Sequence, residues 1–202
     1  MKLIILDRDG VINEDAGDYI KSAEEWQPIP GSIEAIARLS RAGFTPVVAT
    51  NQSGLARGLF NLDDLEAMHA KLTSLVEENG GKLEAIFYCP HHPDEDCKCR
   101  KPKTGMLDAI EAVFNTSVQS AWFVGDTSKD LQAALTKGCQ PCLVRTGRGR
   151  ETEAELASFL DAAELEQVRI FDHLEAAVTA LLSEPEQADT APSDPQDHEG
   201  QR

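Results

Sequence analysis

No stretch of this 202-residue chain is apolar over the length needed to span a bilayer. Positions 1 to 20 show no basic segment followed by an apolar run and a small-residue cleavage site. The expectation is a soluble, unsecreted protein of the cytoplasm. Cations are also scarce: 19 Lys and Arg stand against 35 Asp and Glu, a formal net charge of −16. An acidic body argues against nucleic acid or a membrane surface as partner, whereas a small anionic ligand needs only a few local cations. Internal repeats are absent. The glycine-rich segment Gly147-Arg148-Gly149-Arg150 has Thr152 where a dinucleotide loop places its third glycine, and reads as a polar turn. At 41% hydrophobic residues the chain can fill one core but has little room for a second full-sized domain.

What is there alternates. Leu3-Ile4-Ile5-Leu6, Pro46-Val47-Val48-Ala49, Ala85-Ile86-Phe87-Tyr88, Ala121-Trp122-Phe123-Val124 and Cys142-Leu143-Val144 are short continuous apolar runs, the form of strands buried on both faces. Between them Leu65, Met68, Leu72, Leu75 and Val76, and later Met106, Leu107, Ile110, Val113 and Phe114, recur at helical spacing. This predicts an α/β fold, a parallel sheet with helices on both faces, with ligands outside the carboxyl ends of the strands. A helix over 151–163, a strand at Val168–Phe171 and a helix ending at Leu182 complete the expected domain, 1–182. Residues 183–202 hold six acids, one base, three prolines and almost no large apolar side chain. Such a segment cannot offset its own ordering entropy, and the reading is a disordered acidic tail.

Three strand ends carry chemistry. The first runs into Asp7-Arg8-Asp9-Gly10, two carboxylates that a turn at Gly10 can bring to one rim. Alone, the doublet is equally a strand-end acid capping a loop. The second ends in Thr50-Asn51-Gln52-Ser53-Gly54, hydroxyl, amide and backbone donors suited to a phosphoryl group. The fourth ends in Gly125-Asp126-Thr127-Ser128-Lys129-Asp130, a carboxylate source for a hard divalent cation, with Asp130 as an alternative or supporting ligand. Each piece is weak alone; the ordered set is strong.

Five cysteines in a reducing compartment invite a metal reading before a disulfide one. Cys89, His91, Cys97 and Cys99 form two close pairs joined by an acidic loop, a donor set that can wrap a tetrahedral Zn²⁺. His92 is the competing imidazole; the bland reading is reduced surface thiols or a redox pair. Four protein ligands leave no open position, so this zinc would be structural, and its closure would place Arg100 and Lys101 beside the rim. Cys139 and Cys142 flank Pro141 at the entry to a strand and read as buried core thiols. His69, beside Met68 on a helix, reads as a surface or packing residue.

The ordered set resembles the haloacid dehalogenase superfamily of phosphotransferases over nearly all of residues 1–180. The resemblance implies a three-layer Rossmann-like fold with the zinc loop 89–99 in place of a large cap. It implies Asp7 as nucleophile, Asp9 as acid and then base, and Lys101 as the charge-neutralising lysine. Thr50 would bind phosphate, and Asp126 would hold Mg²⁺ with the Asp7 carboxylate and the Asp9 carbonyl. Within the superfamily, Asp7-Arg8-Asp9-Gly10-Val11-Ile12-Asn13, Thr50-Asn51-Gln52-Ser53, Cys89-Pro90-His91-His92-Pro93 and Cys99-Arg100-Lys101-Pro102 resemble the heptose-bisphosphate phosphatase family. That implies removal of the C7 phosphate of a heptose bisphosphate on the way to the nucleotide-activated heptose of lipopolysaccharide. Asn51, Gln52 and Ser53 would join Thr50 at the substrate, Asp15 to Asp18 would border the sugar, and Arg100 would recognise it. The partner implied is a small phosphorylated sugar, with no nucleic acid and no membrane, bound by a monomer. The chain departs from these relatives in a shorter zinc loop and in Thr127, where some carry a lysine. Histidinol-phosphate phosphatases share the aspartate doublet and the zinc loop and stand as the rival; a zinc-stabilised binding module without catalysis is the alternative of another class.

Overall fold

The computed structural model describes residues 1–15, 17 and 19–184. Asp18 and all but the first two residues of the expected tail, 185–202, lie outside the described residues. Six parallel strands, β1 (Lys2–Leu6), β2 (Phe44–Asn51), β3 (Ala85–Cys89), β4 (Trp122–Gly125), β5 (Gln140–Val144) and β6 (Arg169–Phe171), form one sheet in the order β3-β2-β1-β4-β5-β6. The two-residue strand period sorts the core into two layers. Ile4, Leu6 and Val48 face one, with α1 (Ser32–Arg41), α2 (Leu62–Glu78) and α7 (Leu174–Ser183). Leu3, Ile5, Val47 and Ala49 face the other, toward α3 (Gly105–Phe114) and α4 (Ser128–Thr136). This is the three-layer architecture that the alternation of apolar runs predicts.

Two features correct the sequence reading. The helix expected over 151–163 is two, α5 (Gly149–Phe159) and α6 (Ala162–Gln167). Leu160 is extended, and the Asp161 carboxylate accepts from Glu164 N at 2.9 Å while Glu164 accepts from Asp161 N at 3.0 Å. That reciprocal cap starts a new helix, and its Asp-x-x-Glu spacing is visible in the sequence. Helix α1, not singled out from the sequence, buries Ile33, Ile36 and Leu39 at helical spacing against the sheet.

The chain runs outward from β1 to β2 and β3, then crosses to β4 on the other side of β1. The order reverses between β1 and β4, and a crevice opens at their carboxyl ends. Asp7 follows β1 and Asp126 follows β4, so both stand at this switch point.

Candidate active site

Gly10 and Gly147 make the close approach here possible. Both have positive φ, 79° and 55°, and a Cβ on either would lie 2.2 Å from Asp126 Oδ2. Only glycine can adopt that turn and leave the carboxylate its space. Arg148 N donates to Asp126 Oδ2 at 2.8 Å, Thr146 Oγ1 to the Gly10 carbonyl at 2.6 Å, and Thr152 Oγ1 to the Asp126 carbonyl at 2.8 Å. The Gly147–Arg150 segment is therefore more than a polar turn: it is the clamp that fixes Asp126.

Asp7, Asp126 and Asp130 are buried and present carboxylate oxygens within 4.8 Å of one another. Lys101 lies among them, its Nζ 2.9 Å from Asp7 Oδ1, 2.6 Å from Asp130 Oδ1 and 2.7 Å from the Ala49 carbonyl. Burial works against the lysine's charge, but Asp130 and Asp7 outweigh it and hold its pKa above the ordinary range. For Asp7 burial dominates and pushes the carboxyl up to about 7, with Lys101 pulling the other way. For Asp126 burial, reinforced by Asp130 and Asp7, pushes it up to about 8. Asp126 Oδ1 is buried without a hydrogen-bond partner among the described residues. Three buried carboxylates facing one lysine, with an orphaned oxygen, fit a hard divalent cation such as Mg²⁺.

The segment after β2 splits its duties. Asn51 donates from Nδ2 to the Lys101 carbonyl at 3.2 Å and accepts Lys101 N at 3.1 Å, which locks the lysine's backbone. Gln52 Nε2 reaches Asp9 Oδ2 at 2.7 Å and Thr50 Oγ1 at 2.9 Å. Ser53 Oγ meets the Tyr19 hydroxyl at 3.3 Å. Asp9 also receives Asn13 Nδ2 at 2.9 Å and the Arg8 guanidinium at 3.0 to 3.2 Å. Burial alone would raise its pKa, yet Arg8, Asn13 and Gln52 together hold it below the usual carboxylate range. Above Asp9 opens a cavity of about 360 Å³, into which Asp15, Arg57, Arg100, Lys129 and Arg148 also face. Arg57 reads from the sequence as a second cation, with Arg100, for a bisphosphate; Lys129 and Arg148 carry no assignment there, since nothing local distinguishes them from surface cations.

The four candidate zinc ligands converge. Sγ–Sγ separations among Cys89, Cys97 and Cys99 are 3.2 to 3.5 Å, and His91 Nδ1 lies 3.2 Å from Cys99 Sγ and 3.6 Å from Cys89 Sγ. Bond lengths of about 2.3 Å to sulfur and about 2.0 Å to nitrogen give a tetrahedron with S–S edges of about 3.8 Å and S–N edges of about 3.5 Å, so the four side chains need open by only a few tenths of an ångström. The residues present thus fit Zn²⁺. His92 is turned to other work, capping the 3-10 turn Pro93–Glu95 by accepting from Asp94 N.

A family model described as haloacid dehalogenase-like hydrolase matches residues 6–136, which hold Asp7, Asp9, Lys101 and Asp126, and one described as HAD-hydrolase-like matches 98–177. The chain belongs to the haloacid dehalogenase-like hydrolases. Among the members of this family that it resembles, D-glycero-beta-D-manno-heptose-1,7-bisphosphate 7-phosphatase of Pseudomonas putida is 56% identical over 182 residues, 90% of this chain and all of that one. The enzyme of the same name from Neisseria meningitidis is 47% identical over 86% of this chain and 91% of its own. A solved structure of D,D-heptose 1,7-bisphosphate phosphatase from B. bronchiseptica, complexed with magnesium and phosphate, is 48% identical. It superposes with a TM-score of 0.84, covering 90% of this chain and 98% of that one. No helix among the described residues of this haloacid dehalogenase-like hydrolase is long and apolar enough to cross a membrane.

Proposed function

We propose that this hydrolase removes the C7 phosphate of D-glycero-D-manno-heptose 1,7-bisphosphate, acting as a cytoplasmic monomer that supplies nucleotide-activated heptose for lipopolysaccharide. The site chemistry supports a two-step route. An Asp7 carboxylate oxygen attacks phosphorus, the bond from phosphorus to the sugar oxygen breaks, and Asp9, having taken a proton from the incoming phosphate monoanion, passes it to that oxygen. Water then attacks the aspartyl-phosphate, Asp9 takes its proton, and Asp7 is released with inorganic phosphate. Lys101, fixed by Asp130 and the Ala49 carbonyl, lies against Asp7 and offsets negative charge as phosphate approaches. Thr50 and Ser53 supply phosphate donors. Mg²⁺ held by Asp7, Asp126 and the Asp9 carbonyl would cancel the repulsion between the carboxylate and the phosphate dianion. Zn²⁺ at Cys89, His91, Cys97 and Cys99 would hold the loop that carries Arg100 and Lys101.

One observation carries the choice of substrate. Of the charged groups facing the cavity, Arg8 pairs with Asp9, and Arg148 Nε lies 3.6 Å from Asp15. Among the described residues Arg57, Arg100 and Lys129 have no carboxylate in hydrogen-bond range, and the buried Arg100 Nη1 has no partner. Such a rim favours a second phosphate and opposes the amine of histidinol phosphate. The deciding experiment is phosphate release from heptose 1,7-bisphosphate and from histidinol phosphate, each with Mg²⁺ and with EDTA. A strong magnesium-dependent preference for the bisphosphate is expected. Preference for histidinol phosphate would replace the substrate, and no release from either would overturn the catalytic reading.

A further inference from the structure

His69, which the sequence reads as a surface or packing residue, touches the machinery through a neighbour. Arg8 is 1% exposed, and each of the three nitrogens of its planar guanidinium has a partner. Nε and Nη2 reach Asp9 Oδ1 at 3.2 and 3.0 Å, Nη2 also reaches Oδ2 at 3.1 Å, and Nη1 lies 3.3 Å from His69 Nε2. Arginine has no acceptor, so Nε2 must be the unprotonated nitrogen that receives the bond. Burial, with Arg8 acting in the same direction, lowers the His69 pKa to about 4 and keeps the ring neutral. The ring is held on α2 and packs at 5.8 Å, tilted, against Tyr88 at the end of β3.

We propose that His69 is a positioning residue: by accepting from Arg8 Nη1 it sets the plane of the guanidinium, and through that plane the orientation of the Asp9 carboxylate toward the leaving oxygen. The idea rests on the acid–base role given to Asp9 above. Because the guanidinium is rigid, a bond at Nη1 determines where Nε and Nη2 point. Removing the acceptor leaves a buried donor unsatisfied, and Arg8 turns to find another partner, loosening its hold on Asp9.

The test uses leaving groups. A sugar alkoxide needs the Asp9 proton, whereas p-nitrophenolate departs without it. His69→Leu is expected to lower kcat on heptose 1,7-bisphosphate by about tenfold or more with KM little changed, and to lower kcat on p-nitrophenyl phosphate less than about threefold. His69→Gln, which restores an acceptor, should recover most of the loss. If His69→Leu does not fold, His69→Met fills the space beside Tyr88 without a nitrogen and is read the same way. Equal losses on both substrates, no loss on either, or no recovery by His69→Gln would overturn the proposal. Asp9→Asn, measured in parallel, separates the role of His69 from that of Asp9. If it shows the leaving-group signature and His69→Leu does not, the proposal alone falls; if Asp9→Asn lacks it, the acid–base reading falls and takes the proposal with it.

Discussion

The rim at the switch point and the loop 89–99 each gather four polar groups in a small space, with opposite consequences. The rim collects hard oxygens, Asp7, Asp126 and Asp130, around Lys101; it is buried, carries excess negative charge, and leaves Asp126 Oδ1 without a partner among the described residues. The loop collects three soft sulfurs and one nitrogen in a compact set of four, which would leave a tetrahedral ion no position to spare. An incompletely satisfied cluster can exchange a ligand and do chemistry, while a closed one can only hold chain segments together. The two are joined covalently, for Cys99 is two residues from Lys101, and Asn51 ties the backbone of Lys101 to the end of β2.

If that contrast is right, damage to the rim stops turnover and damage to the loop loosens the fold. Asp7→Asn should lower kcat by about 10³-fold or more. Its melting temperature should not fall, because the change removes a buried charge; a circular dichroism melt beside the rate assay checks both. Cys99→Ser should abolish stoichiometric zinc, measured by metal analysis, and lower the melting temperature by roughly 10 °C. A variant that keeps the parent's zinc or its melting point would erase the distinction between the clusters.

A smaller effect concerns pH. With metal removed, Asp7 and Asp126 titrate near about 7 and about 8 in the folded state, against 3.8 as the ordinary value. The folded protein therefore binds protons that the unfolded chain has released. The stability from these two groups is complete below about pH 4 and is lost as pH rises through 7 to 8. In EDTA the melting temperature should decline between about pH 5 and about pH 9, and Mg²⁺ should flatten that slope. The smallest effect belongs to neither cluster. Cys139 and Cys142 are buried, each with its thiol pKa pushed up to about 12 by burial, and they face different core layers. Cys142→Ala should cost about 1 kcal/mol, a shift of roughly 2–4 °C, with kcat unchanged.

Much of the fold was legible because buried parallel strands must be apolar on both faces, and the apolar runs from Leu3 to Val144 fall within strands, except Ala121, which stands one residue before β4. The cysteine–histidine cluster was legible because its four side chains lie within eleven residues. Less legible were pairings across large sequence distances. Arg8 and His69 are 61 residues apart, Asn51 and Lys101 are 50 apart, and Arg148 and Asp126 are 22 apart. In the sequence Arg148 belongs to a polar turn and His69 to a helix face, and periodicity marks neither as functional.

By itself, then, the order of residues determined which strand ends carry carboxylates, hydroxyls and thiols, because strand burial and metal-ligand spacing are local properties of the chain. Tertiary structure decided which donor each of them meets. Crossing from β3 to β4 brings Asp126 beside Asp7, packing α2 on the sheet delivers His69 to Arg8, and two glycines permit the loop after β5 to grip Asp126. Those meetings depend on where whole elements dock, and docking is set by the shared core of both layers, which no local pattern contains.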